Sequence, residues 1–324
     1  MLTHKGFLFI GDPHVSSKRV GRRNDDYLSS VLGKLGQAAE VARERQLVPV
    51  ILGDLFHRND DNDLGMLSRL IRVLKSFPEP PYVLEGNHDK EQAHITESDA
   101  LTVLELGGAV RVLNVALQEV LFDFEGKATR LLALPYGCEI PTEVTHFAGE
   151  TVAISHHDLA FNTSYPGAKP LHPIINCATV VNGHMHDTKP SEAQGGTVWH
   201  NPGNIEPLSV DLAGHQPCVA VWQPHAPQAI ELVFLEHNSD CFDLTGLRVD
   251  AAKGAALVEQ DVPAASAFAA LLQAQASADA ARTDEASILL EDLEEILAAA
   301  SVSEETKVLM QSLAADLVEA VRTG

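Results

Sequence analysis

The sequence predicts an α/β protein with a parallel sheet, a second and more antiparallel sheet, and a helical extension at its C-terminal end. Three observations carry this. From residue 6 onward, short apolar runs alternate with helix-like segments, the rhythm of βαβ units whose crossovers make successive strands parallel. Past residue 110 the β-rich segments follow one another closely. After about residue 250 the composition turns Ala-rich and acidic with helical periodicity.

In chain order, the strand GFLFI leads to the helix YLSSVLGKLGQAAEVARERQ, the strand LVPVILG, the helix LGMLSRLIRVLKSF and the strand PYVLEG. The second sheet is expected from RVLNVALQEVLFDF, TRLLALPY, TVAISHHD, ATVVNGH, TVWHNPG and CVAVWQ. The extension contains AFAALLQAQ, ILLEDLEEILAAA and TKVLMQSLAADLVEAV. Ser303 before Glu304 and Glu305 marks a helix start, because a serine oxygen accepts free N–H groups and acids suit the first turn. The expected organisation is a main domain over 1–250 and a helical extension over 251–324, joined through the Gly- and Pro-containing stretch 254–263.

Composition narrows the function classes. The net charge of −22 excludes a broad basic surface for non-specific nucleic-acid binding, so an anionic substrate must be held locally. Residues 251–324 alone carry 13 acidic and 4 basic side chains. The four cysteines are far apart with no CxxC spacing, which suggests neither a zinc knuckle nor a disulfide framework but reduced, buried thiols. There is no run of about 18 apolar residues, and MLTHKGFLFI passes into strand-like sequence without a charged leader. A cytoplasmic protein with no membrane partner is expected.

Several of the 15 histidines lie in short runs beside Asp, Asn and Gly. Five apolar strands end in potential ligands: Asp12-Pro13-His14, Gly53-Asp54, Gly86-Asn87-His88-Asp89, His156, and Gly183-His184-Met185-His186. The C-terminal ends of strands in an α/β sheet open onto one crevice, so the five runs are placed to converge. Two carboxylates, one amide and four imidazoles suit a pair of borderline divalent ions, with manganese first and iron or zinc as alternatives, better than calcium or magnesium. In Ser155-His156-His157-Asp158 both imidazoles are candidates, with His156 favoured because it follows the strand immediately.

These motifs, DxH, GD, GNH, a strand-end His and GHxH in that order over residues 12–186, resemble the calcineurin-like metallophosphoesterase superfamily. HNPGNIEPL continues the resemblance with the Asn-Pro-Gly turn that often follows GHxH. The resemblance implies a four-layer sandwich of two mixed sheets flanked by helices. It places Asp12, His14 and His186 on one metal, Asn87, His156 and His184 on a second, Asp54 between them, and His88 beside the scissile phosphate as hydrogen-bond donor or general acid.

In many branches the position three after the bridging Asp is an Asp that orients the histidine of GNH. Here it is His57, and GDLFH resembles the DNA double-strand-break repair exonucleases, in which a second histidine helps to position the polynucleotide. The resemblance therefore implies a DNA exonuclease, with DNA and a coiled-coil ATPase as partners and self-association as a further expectation. The alternative for His57 is a surface histidine at a helix start. Two other functions remain in view: a phosphodiesterase or phosphatase for small phosphoesters, which the acidity favours, and a catalytically silent scaffold that binds proteins through its tail.

Lys18, Arg19, Arg22 and Arg23, just after the first motif, form a candidate phosphate-backbone contact, with a solvated loop as the alternative. Asp89 is either a partner of a site imidazole or a turn residue. His200, beside Trp199, is a further histidine to follow. In the tail the apolar stripe of Ile288, Leu289, Leu293, Ile296 and Leu297 is expected to pack on the chain's own core.

Overall fold

Gly6–Ile10 (β1) and Leu47–Ile51 (β2) are each buried along their whole length. Strands covered on both faces read as unbroken apolar runs rather than alternating ones. In β1, Leu8 and Ile10 face the helices, whereas Phe7 and Phe9 face a second sheet. The computed structural model describes residues 4–161 and 167–245, together with the strand pair Arg248–Val249 and Ala256–Leu257. Apart from Ala256–Leu257, the expected helical extension over 251–324, with its Ser303 cap and apolar stripe, lies outside the described residues.

Between the first strands lies α1 (Tyr27–Arg45), started by the Asp26 side chain accepting from Ser29 N. α2 (Leu64–Leu74) is started in the same way by Asp63 on Met66 N. β3 (Tyr82–Leu84), α3 (Ala100–Leu106) and β4 (Arg111–Leu113) complete the βαβ series. The remaining strands are β5 (Glu119–Phe124), β6 (Lys127–Leu134), β7 (Glu150–His156), β8 (Thr179–Gly183), β9 (Lys189–Gln194), β10 (Thr197–Asn201), β11 (Cys218–Trp222) and β12 (Ile230–Phe234).

Two six-stranded mixed sheets result, in the orders β12-β11-β1-β2-β3-β4 and β5-β6-β7-β8-β10-β9. They pack face to face over Phe7, Phe9, Val50, Leu131, Ile154 and Trp222. The three described α-helices cover the outer face of the first sheet. The outer face of the second is covered by loop residues including Ile140, Val144, Leu159 and Ile174. The α/β sandwich is as expected, but the division into sheets differs. The second sheet is parallel at its centre, through β6, β7, β8 and β10, and antiparallel only at its edges. CVAVW, expected there, instead joins the first sheet antiparallel to β1. Its Val219 and Val221 meet the helices while Ala220 and Trp222 meet the second sheet. RVL also belongs to the first sheet, as β4.

Register brings the strand-end motifs together. Ile10 pairs with Ile51 and Ile51 with Val83, so the chain leaves β1, β2 and β3 at one level. In the second sheet His156 pairs with Gly183. The turn after β10 is stapled to the first motif, since Ile205 N donates to Gly11 O (3.1 Å) and Asn204 N to His186 O (2.9 Å). No described helix is long and apolar enough to cross a membrane. All four cysteines are unpaired; Cys138 is half-buried and the other three are buried.

One element of the candidate phosphate loop plays a different part. Arg23 is fully buried: its guanidinium donates to Asp25, to Glu206 Oε1 (2.6 Å) and to Pro207 O (2.6 Å). Glu206 also accepts from Lys34 Nζ (2.7 Å) and Ser30 Oγ (2.9 Å). Arg23 is therefore a strut joining the loop, α1 and the NPGNIEPL turn, and the expectation that it contacts phosphate is corrected. Removing Glu206 would leave Arg23 and Lys34 buried beside a missing anion. Glu206→Ala is expected to lower the unfolding free energy by about 3–5 kcal/mol in denaturant titrations, the usual cost of stranding a buried charge.

Candidate metal centre

Gly86 is required by its neighbour. A β-carbon there would overlap the Asp54 carboxylate, and one at Gly53 (φ +117°) would overlap the His156 ring. Glycine permits both the close approach and the left-handed backbone. Asp12 (φ 30°), His14 (φ 45°), Asp54 (φ 46°) and His184 (φ 68°) also have positive φ. Non-glycine residues held in such sparsely populated backbone regions cost on the order of 1–3 kcal/mol each and tend to mark functional sites. Hydrogen bonds across the loops hold the turns: His14 N donates to Asp54 O (2.9 Å), His184 N to Asp12 Oδ1 (3.0 Å) and Tyr27 Oη to His14 O (2.8 Å).

All seven expected ligands are brought together. On one side, His14 Nε2 lies 3.0 Å from His186 Nε2 and 3.6 Å from Asp54 Oδ2. On the other, His156 Nε2 lies 3.2 Å from Asp54 Oδ2 and 3.1 Å from Asn87 Oδ1, which is itself 3.0 Å from His184 Nδ1. Asp12 Oδ1 is 3.4 Å from His156 Nδ1. Asp54, His156 and His184 present ligand atoms within 4.8 Å of one another, as do His14, His57 and His88. Of the SHHD pair it is His156 that enters the cluster. His157 turns away, with its Nε2 on Cys138 O (3.0 Å).

Burial and crowded charge set the electrostatics. Burial raises Asp12 to about 6, partly offset by His156. Burial also lowers His14 well below the usual histidine value, and the neighbouring His88 and His186 lower it further. His156 is raised to about 9: burial opposes the charged form, but Asp54 and then Asp12 favour it. Such a cluster fits divalent cations. The buried Asp12 Oδ2 has no hydrogen-bond partner among the described residues, and two imidazole nitrogens 3.0 Å apart can direct both lone pairs at one ion.

The roles around the cluster are now distinct. Asp89 is a clamp between loops, accepting from Phe56 N (3.2 Å) and Gly86 N (3.1 Å); burial and Asp54 raise it to about 7. His88 N donates to Asp54 Oδ1 (2.9 Å), and His88 Nδ1 is 2.8 Å from His57 O. The main chain of residue 57 thus helps to orient the His88 ring. The His57 ring stacks on His88 with centroids 5.6 Å apart and meets His14 edge-on at 5.6 Å. Lys18 and Arg19 are exposed, while Arg22 donates to Asp243 O (3.0 Å) and Thr245 O (2.6 Å). His200 lies apart from these contacts, bonded to Ser191 Oγ (2.7 Å) and lowered to about 4 by burial.

The family model for calcineurin-like phosphoesterases matches residues 6–188, over half the chain and every one of these motifs. The chain belongs to the calcineurin-like phosphoesterase family. Membership makes it a metal-dependent phosphoester hydrolase of a family that uses a dinuclear metal centre. Among solved structures, TT1561 of Thermus thermophilus is 13% identical, with 72% of this chain and 100% of that chain covered and a TM-score of 0.42. A hypothetical protein from the same organism is 12% identical over 72% and 99% of the two chains, with a TM-score of 0.41. Vacuolar Protein Sorting 29 from Cryptosporidium parvum is 13% identical over 72% and 99%, with a TM-score of 0.32. No curated protein matches the chain at a significant level.

Three contributors to the calcineurin-like site went unread in the sequence. Leu52 O accepts from His156 Nδ1 (2.8 Å), Asp158 Oδ2 lies 3.3 Å from His184 Nε2, and the Tyr136 ring stands 5.5 Å from that of His184. Asp158 and Tyr136 each end a β-like run, as the other motifs do, and that position was the available signal. For the central carboxylate, Asp54→Asn is expected to leave the fold intact, abolish hydrolysis and reduce bound metal below the wild-type content. Elemental analysis alongside circular dichroism checks this, and full activity in the variant would exclude a bridging role.

Proposed function

We propose that this protein is a dinuclear phosphodiesterase acting on DNA, as an exonuclease, with manganese as the working metal. Asp12, His14 and His186 hold one ion, Asn87, His156 and His184 the other, and Asp54 contributes to both. When bound, the ions neutralise charge on the phosphate and activate water at neutral pH. Of the protein's own groups, His88 is held by Asp54 through its main chain and by His57 O through its ring. Held in this way, the His88 ring donates to a phosphate oxygen or protonates the leaving alkoxide.

The observation that carries the polynucleotide reading is the division of labour at residue 57. Its carbonyl orients His88 (2.8 Å), and its ring lies against both His88 and His14. A second imidazole at the phosphate suits a substrate that must be placed as a strand. Lys18 and Arg19, exposed beside the first motif, add local positive charge in a chain of net charge −22. That same acidity supports a second reading, a small phosphodiester substrate, which needs no extended basic track. A coiled-coil ATPase partner and self-association are further parts of the nuclease proposal, as is a cytoplasmic location.

His57→Ala separates the two readings. Because the His88 contact is to the main chain, the variant keeps it, along with metal content and hydrolysis of bis-p-nitrophenyl phosphate. DNA cleavage is expected to fall roughly ten- to a hundredfold, the worth of a charged hydrogen bond of about 1.5–3 kcal/mol made in the transition state. His88→Ala is expected to impair both substrates. Unchanged DNA cleavage in His57→Ala, or turnover of the small diester alone by wild type, would favour the second reading; no turnover with any metal would favour the scaffold.

For the basic loop, the double variant Lys18→Ala, Arg19→Ala is expected to bind DNA with a shallower salt dependence, since fewer counterions are released. Its hydrolysis of the small diester is expected to stay at the wild-type rate. Binding isotherms over a series of salt concentrations test this, and an unchanged slope returns the loop to a solvated role.

A further inference from the structure

The two histidines of the Asn87 side face the cluster with different ring nitrogens. His156 presents Nε2, 3.1 Å from Asn87 Oδ1, and its Nδ1 lies 2.8 Å from Leu52 O. A carbonyl only accepts, so Nδ1 carries a hydrogen, and Nε2 is the nitrogen that gives up its proton to offer a lone pair when an ion binds. His184 is reversed. Its Nδ1 lies 3.0 Å from Asn87 Oδ1, and its Nε2 meets Asp158 Oδ2 at 3.3 Å. The two nitrogens point to opposite edges of the ring, so Asp158 lies on the far side of the imidazole from Asn87.

We propose that Asp158 is a positioning residue that accepts the Nε2 hydrogen of His184, fixing the tautomer whose Nδ1 ligates the ion on the Asn87 side. The proposal rests on the dinuclear reading above. Such partners of a ligating histidine set ring orientation and raise ligand basicity. Asp158 does for His184 with a carboxylate what Leu52 does for His156 with a main-chain carbonyl.

The backbone makes the contact dependable. Asn182, near the end of β8, accepts from His157 N (3.1 Å) and donates to His157 O (3.0 Å), tying the residue before Asp158 to the strand that delivers His184. On the other side, Lys169 N donates to Asp158 O (2.9 Å) and Ala160 N to Lys169 O (2.9 Å). Leu159 is buried against the outer face of the second sheet, which leaves the Asp158 side chain on the site side of its turn.

The test is manganese titration of the full chain, as wild type, Asp158→Ala and Asp158→Asn, followed by calorimetry and by electron paramagnetic resonance. Wild type is expected to bind two ions and show the signal of a coupled pair. In Asp158→Ala the second ion is expected to bind about 10- to 100-fold more weakly, the usual effect of removing such a partner. The first ion keeps its affinity, the signal becomes that of an isolated ion, and the melting temperature of the metal-free protein is unchanged. Asp158→Asn, whose amide oxygen still accepts, is expected to fall between the two, and it decides the matter if the alanine variant is unstable. Two ions bound with wild-type affinity in both variants would overturn the inference and leave the dinuclear reading standing. Parallel loss of both ions with a lowered melting temperature would make Asp158 structural and also overturn it. Fewer than two ions in wild type would overturn the dinuclear reading and the inference with it.

Discussion

The centre depends on how closely two parallel strand ends approach. Ile51 and Val83 are partners, so Asp54 and Gly86 leave β2 and β3 at the same level, and there is no room for a side chain at 86 beside the Asp54 carboxylate. From that contact follow the hydrogen bond from His88 N to Asp54 Oδ1 and the Asp89 clamp on Phe56 N and Gly86 N. The turns after β2 and β3 are thus tied together, and His88 is placed between the Asp54 carboxylate and the His57 carbonyl.

This unit is half of a site whose other half comes from a different sheet. His156 and His184 arrive from β7 and β8, and the apolar layer of Phe7, Phe9, Val50, Ile154 and Trp222 sets the spacing between the two sheets. A close-packed interior transmits displacement, so packing between the sheets is also packing of the site. The concentration of buried carboxylates and imidazoles works against the metal-free fold through desolvation, as the upward displacement of Asp12 and the downward displacement of His14 show. A divalent cation relieves that conflict, which links the stability of the centre to its loading.

The buried cluster of Arg23, Glu206 and Lys34, with the half-buried Asp25 at its edge, supports the first motif from behind. Tyr27 Oη donates to His14 O, and the Arg23 guanidinium lies 5.3 Å from the Tyr27 ring. The turn after GHxH, read in the sequence only as a recurring Asn-Pro-Gly pattern, supplies the central anion of that network in Glu206. Its role is structural, and it reaches His14 through Arg23 and Tyr27.

What the sequence by itself determined was the α/β class, the first helices and strands, and the seven converging side chains. Each is signalled locally, by the period of an apolar face or by a ligand-bearing turn at the end of a strand. Sheet membership was not legible, because a strand buried on both faces, such as CVAVW, reads the same in either sheet. The choice between His156 and His157 was legible only as a preference, since strand alternation sends neighbours to opposite faces without saying which face holds the site. Arg23 was read as a phosphate contact because a basic loop looks exposed until Glu206, 183 positions away, is brought against it. The orienting contacts of Leu52 O, His57 O and Asp158 had the same origin. They depend on where a carbonyl or carboxylate falls relative to a ring nitrogen, which only the register of the strands and the packing of the two sheets decided.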